Sequence, residues 1–191
     1  MSLEDLLNDK DFNRRALLKG SLTLSAAALV SAVGVNPVMA AAPDGRYSFE
    51  VFNTHTHESF SGLYRVGNQY LPEAFERINY TLRDHRTNDI FPIDPRVIDI
   101  AVAVHRMSGS TKPLKVLSGY RSPKTNKMLS KASGKVAKQS LHMSGQAVDI
   151  RMDDVSASRV RDIAKSLRAG GVGYYRKSGF VHVDSGAVRS W

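Results

Sequence analysis

Residues 140–151 read SLHMSGQAVDIR, and the fold turns on their second half. In AVDIRM (147–152), Val148, Ile150 and Met152 fall on one face of an extended chain, and Ala147, Asp149 and Arg151 fall on the other. FVHVD (180–184) has the same construction, with Val181 and Val183 on one face and Phe180, His182 and Asp184 on the opposite one. Each segment therefore reads as a strand with an apolar side for a core and a side bearing ionisable groups. In a shared sheet, Asp149 and His182 would project into one cleft. His142 lies a few residues ahead of the first strand, and Gly145 lets the loop turn back toward that cleft.

Working outward, RYSFEVFNT (46–54) alternates as a strand, and SGLYRVGNQYL (61–71) reads as the other arm of a hairpin. Helices are predicted over 71–86, 94–109, 122–132 and 156–171. The second has Asp94 as cap, Pro95 at its first position and Gly109 at its end. The last has serine at its start and glycine at its end. PLKVLSG (113–119) is a short strand, 133–140 a loop, and VGYY (172–175) pairs with 180–184. The expected architecture is one α+β domain, with helices packed on one side of a small antiparallel sheet.

The chain has 191 residues, 42% of them hydrophobic, which suits one packed domain with a tail. With no cysteine, disulfides, thiolate ligands, a cysteine nucleophile and a lipoprotein anchor are excluded. Any metal must be held by His, Asp, Glu or water. The net charge of +9 favours a polyanionic partner: nucleic acid, anionic lipid or an acidic wall polymer.

The first forty residues carry an address. NRRALLKG (13–20) has paired arginines, 21–35 is uncharged and rich in Ala, Leu, Val and Ser, and VMA (38–40) offers small residues to a signal peptidase. The pattern resembles a twin-arginine export signal, which implies a 1–40 signal peptide, a 41–191 mature domain and a periplasmic location. Cleavage after Ala40 leaves no stable membrane insertion, while an uncleaved anchor is the alternative. Removing 1–40 takes away four basic and four acidic residues, so the remainder keeps 23 and 14 and stays at +9. An exported protein of this charge meets the wall before it meets nucleic acid, so no nucleic-acid partner is expected.

Two imidazoles and a carboxylate form a set that Zn2+ accepts, leaving a fourth position for water. Zinc lowers the pKa of such a water toward ~7. The same residues also fit a hydrogen-bonded loop without metal. SLHMSGQAVDIR further matches H-x-x-G-x-A-x-D, and on that motif the chain resembles the zinc D-Ala-D-Ala peptidases, whose fold is shared with lysostaphin-type endopeptidases and the hedgehog signalling domain. The resemblance implies that His142 and Asp149 bind zinc and that His182 is the third ligand. SGYRSPKTN (118–126) resembles the segment that supplies a cleft arginine, here Arg121, for an oxyanion or a substrate carboxylate. Ser118 and Tyr120 are further substrate-binding candidates, with Ser140 a secondary one. The motifs SGYRSP, SLHMSGQAVDIR, GGVGYY, FVHVDSG and RSW, in that order over most of 46–191, resemble murein endopeptidases of the MepK type.

The pattern departs where a proton carrier belongs. Relatives place a histidine two residues, or a glutamate three residues, before the last ligand; here those positions are Phe180 and Gly179. Asp184, two residues after His182 on the same face, is the nearest replacement as a base or as a partner that orients a ligand imidazole. His55 and His57 read as cleft-wall or surface residues, and His85 and His105 as ordinary helix-flank residues. The implied activity is hydrolysis of peptide cross-links in peptidoglycan, with its stem peptides as the partner, by a DD- or LD-type endopeptidase or a carboxypeptidase. The alternative is a zinc-containing wall-binding module without turnover.

Overall fold

The computed structural model describes residues 44–133 and 136–191. The expected signal peptide and its cleavage site lie outside them, as do two residues of the 133–140 loop. No helix among the described residues is long and apolar enough to cross a membrane.

The strands are β1 (Arg46–Asn53), β2 (Ser59–Val66), β3 (Gln69–Tyr70), β4 (Leu114–Ser118), β5 (Ala147–Arg151), β6 (Gly171–Tyr175), β7 (Phe180–Asp184) and β8 (Arg189–Ser190). The helices are α1 (Pro72–Thr81), α2 (Pro95–Ser108), α3 (Pro123–Ser133) and α4 (Ala157–Leu167). The α+β reading holds, but the sheet is neither small nor wholly antiparallel. All eight strands join one sheet in the order β3-β2-β1-β4-β5-β7-β6-β8, with β1/β4 and β6/β8 parallel. The connection from β1 to β4 runs through the hairpin, α1 and α2, and so long a crossover can return the chain in the direction it left. Residue alternation carries no record of that direction.

Alternation does carry the core. Val148, Ile150, Val181 and Val183 are at most 1% exposed and face α2 and α4. Val160, Ala164 and Leu167 of α4 close the layer at helical spacing. Asp94 caps α2 by accepting from the Arg96 N–H, and Gly109 ends it in the left-handed region.

Two helix ends differ from expectation. α1 stops at Thr81 rather than 86, because distant groups take its terminal carbonyls: Asn53 Nδ2 donates to Thr81 O (2.8 Å) and Tyr120 N to Leu82 O (2.8 Å). α4 ends on Arg168 (φ 48°), not on glycine. Gly170 and Gly171 stand instead against Asp184, where a Cβ on either would lie within 2.4 Å of its oxygens.

Candidate metal centre

The sheet register builds a row across its polar face. β5 and β7 pair with Asp149 opposite His182, and β6 and β7 with Gly173 opposite His182. An irregularity between Val116 and Ser118 resets β4 so that Ser118 stands opposite Asp149. Asp149 and His182 thus share a face and are 7% exposed each.

His142 reaches the row from a single 3-10 turn, Leu141–Ser144, entered at Ser140, whose Oγ accepts from the His142 N–H. The turn ends on Gly145 at φ 68°, where a Cβ would stand 2.1 Å from Pro92 O, so glycine is required by both conformation and space. Three atoms then converge. His142 Nε2 is 3.2 Å from His182 Nδ1 and 3.3 Å from Asp149 Oδ1, and His182 Nδ1 is 2.9 Å from Asp149 Oδ1. This is the only group of three ligand-type side chains within 4.8 Å among the described residues.

The outer partners decide what those atoms offer. His142 Nδ1 is 2.8 Å from Gly119 O, and a carbonyl only accepts, so Nδ1 carries the proton. His182 Nε2 is 3.1 Å from Asp184 Oδ2. Burial pushes the Asp184 carboxyl up, but hydrogen bonds from His182, Arg189, Gly186 and Gly171 outweigh it and hold the group well below the usual range. An ionised carboxylate accepts, so His182 Nε2 carries its proton. His142 Nε2 and His182 Nδ1 are left facing each other and an ionised Asp149 oxygen; burial pushes the His182 imidazole down, but hydrogen bonds to Asp149 and Asp184 outweigh it and raise its pKa. Burial also pushes Asp149 up, and His142 and His182 overcome it and keep the carboxyl well below its ordinary value. Three ligand-type atoms turned on one point in a buried site form a group that could hold a metal ion. Two imidazoles and a carboxylate are a donor set that zinc fits.

Arg121 lies largely covered beside this cluster. Its Nη2 lies 3.3 Å from Ser118 Oγ and 3.6 Å from Asp149 Oδ2, and its Nε has no partner. Arg121, the three clustered residues, Tyr175, Phe180, Arg189 and Trp191 line a cleft of about 370 Å³, together with Val136, Ala137, Gln139, Ser140 and Leu141. Trp191 sits with its indole 5.3 Å from the His182 ring.

The remaining candidates scatter. Ser118 touches Arg121 from beneath and does not line the cleft. Tyr120 turns away to stack on Phe91 at 4.8 Å. Asp184 is fully buried behind His182. His55 stacks on His85 at 4.0 Å, His57 packs on Phe52, and His105 bonds Lys112 O. Apart from the three clustered residues, the titratable side chains lining the cleft among the described residues are Arg121, Tyr175 and Arg189. Gly179 takes a left-handed turn and Phe180 stacks on Tyr175 at 4.5 Å, so neither offers a proton carrier. The wall formed by Tyr175, Phe180, Arg189 and Trp191 was not assigned from sequence. Phe180 was accessible through its parity with His182; Trp191 follows a two-residue strand that gives no periodic signal.

A family model described as Peptidoglycan L,D-endopeptidase MepK matches residues 40–191. The chain is 40% identical over 182 residues to "Peptidoglycan L,D-endopeptidase MepK" of Escherichia coli (strain K12), covering 95% of this chain and 98% of the relative. It is 35% identical over 187 residues to "Probable peptidoglycan L,D-endopeptidase MepK" of Haemophilus influenzae, covering 97% and 98%.

Proposed function

The chain belongs to the peptidoglycan L,D-endopeptidase MepK family, and from that premise we propose that it is a periplasmic zinc peptidase that hydrolyses L,D-type peptide cross-links of peptidoglycan. The observation that carries this reading is the convergence of three buried ligand-type side chains, His142, Asp149 and His182, in a cleft.

His142, Asp149 and His182 would hold the zinc, which supplies Lewis acidity and an activated water when bound. Gly119 O and Asp184 fix the two imidazoles, so that neither ligand must rotate during turnover. Arg121 lines the cleft beside the cluster, and its guanidinium is a suitable partner for a peptide carboxylate or for the negative charge that develops on the scissile carbonyl oxygen. Tyr175, Phe180 and Trp191 give the cleft an apolar side that excludes water from the cut amide. Asp184 acts as a positioning residue. Its oxygens already accept from Gly171 N, Gly186 N, both Arg189 terminal nitrogens and His182, which leaves it no access to a substrate proton. Export by the twin-arginine route, with residues 1–40 as the leader, fits a substrate found outside the cytoplasm.

The test is incubation of the purified protein and zinc with murein sacculi, followed by separation of the muropeptides. L,D-cross-linked dimers are expected to fall and monomers to rise, and His142→Ala is expected to abolish the change. Dimers that persist while the protein co-sediments with the wall would show a binding module in place of an enzyme.

A further inference from the structure

Between Asp99 and Asp149 the sequence has no acidic residue, while residues 100–148 hold nine Lys and Arg, as many charges as the net +9 of the whole chain. The fold gathers part of this excess on α3. Lys124, Lys127 and Lys131, spaced i, i+3, i+7, point outward, while Thr125 and Asn126 are buried. Asn126 Nδ2 donates to Ala137 O (3.1 Å) and Lys138 O (3.2 Å), drawing the returning chain against the helix. Lys127, Lys131 and Lys138 then line a groove of about 440 Å³ together with Asn126, Ser130 and Met143. None of these lysines has an ion-pair partner among the described residues, whereas Arg83, Arg96 and Arg189 are each paired with a carboxylate.

The groove and the cleft share a wall. Val136, Ala137, Gln139 and Ser140 line the cleft, and Lys138, between them in sequence, lines the groove. A polymer held in the groove is one chain segment away from the His142–Asp149–His182 cluster.

We propose that the α3 groove is an exosite for a polycarboxylate strand, namely the free carboxylates of uncut stem peptides beside the cross-link being cleaved. The inference rests on the peptidoglycan reading of the cleft. Lysines act as compact, mobile point charges, which suits carboxylates arranged irregularly on a flexible polymer. The described lining has no aromatic platform on which nucleic-acid bases would stack and no broad apolar face that would enter a lipid surface.

The experiment compares the protein with a Lys127→Gln/Lys131→Gln/Lys138→Gln variant in three assays: co-sedimentation with sacculi over a salt series, co-sedimentation with anionic phosphatidylglycerol vesicles, and cleavage of a soluble cross-linked muropeptide dimer. Sacculus binding is expected to weaken roughly tenfold at low salt and to lose much of its salt dependence. Cleavage of intact sacculi should fall with it, and dimer cleavage should hold. Unchanged sacculus binding overturns the exosite, as does a loss seen only with vesicles or an equal loss on the dimer. Failure of the unsubstituted protein to cut either substrate overturns the peptidase reading, and the binding assay still decides the groove.

Discussion

His182 and Asp184 lie two residues apart on one strand and meet directly, imidazole Nε2 to carboxylate Oδ2 at 3.1 Å. Alternation puts both side chains on one face, yet only His182 opens to the cleft, because Arg189 and the backbone of Gly171 and Gly186 enclose the carboxylate. On the proposed zinc reading, the arrangement orients a ligand imidazole. Asp184→Asn should therefore lower zinc affinity by about 10–100-fold, read by competition with a chelator. A variant with undiminished affinity and a reduced kcat would mark Asp184 as a proton carrier.

The sole tryptophan provides an optical reading of the same cluster. With the Trp191 ring 5.3 Å from that of His182, binding of a quenching ion such as Co2+ should reduce the intrinsic fluorescence. His142→Ala removes one of three ligands and should abolish saturable quenching and stoichiometric zinc retention after gel filtration. Quenching by His142→Ala equal to that of the parent protein would place the ion elsewhere.

The part of this site written in the sequence is the part governed by strand parity. Asp149 and His182 were placed on one face by counting in twos, and their register pairs them. What counting could not supply came from contacts distant in sequence. Gly119 approaches Leu82 so closely that a Cβ would stand 2.4 Å from Leu82 O, and its carbonyl then meets His142 across 23 residues. Neither relation has a local signature. β3 and β8 are two residues long, too short to alternate, so the true width of the sheet was hidden. The end of α1 has no local signal, because Asn53, which donates to the Thr81 carbonyl, lies 28 residues upstream.

Arg121 separates stability from activity. Burial lowers its pKa against the pull of Asp149, and its Nε is buried without a partner. On the proposed reading, that cost is offset by what the guanidinium does for a ligand. Arg121→Met fills similar space without the unpaired donor, so its melting temperature should match or exceed that of the parent. kcat/KM on a cross-linked dimer should fall by about 10²–10³-fold, the scale of a lost oxyanion donor. A variant that retains activity would remove Arg121 from the substrate wall.

Two groups on the segment after α1 contribute to how stability depends on pH. Burial pushes the Asp84 carboxyl up, but hydrogen bonds from Thr125, Ser122 and the backbone of Arg86 and Ser122 hold it well below the carboxylate range. His85 stacks on His55, and burial, with His55 and Arg86 beside it, pushes its pKa down to about 4. Both folded values are depressed, so in both cases the unfolded chain takes up its proton first as pH falls. The His85 contribution is complete above its ordinary value of ~6.5 and is lost on the way down to about 4. The Asp84 contribution is complete above ~4 and is lost below it. The melting temperature should therefore decline in two stages, with His85→Asn weakening the upper stage and Asp84→Asn weakening the lower, in which Asp149 and Asp184 also take part. An NMR titration assigns the first stage directly: a His85 imidazole that protonates near 6.5 in the folded protein would contradict it.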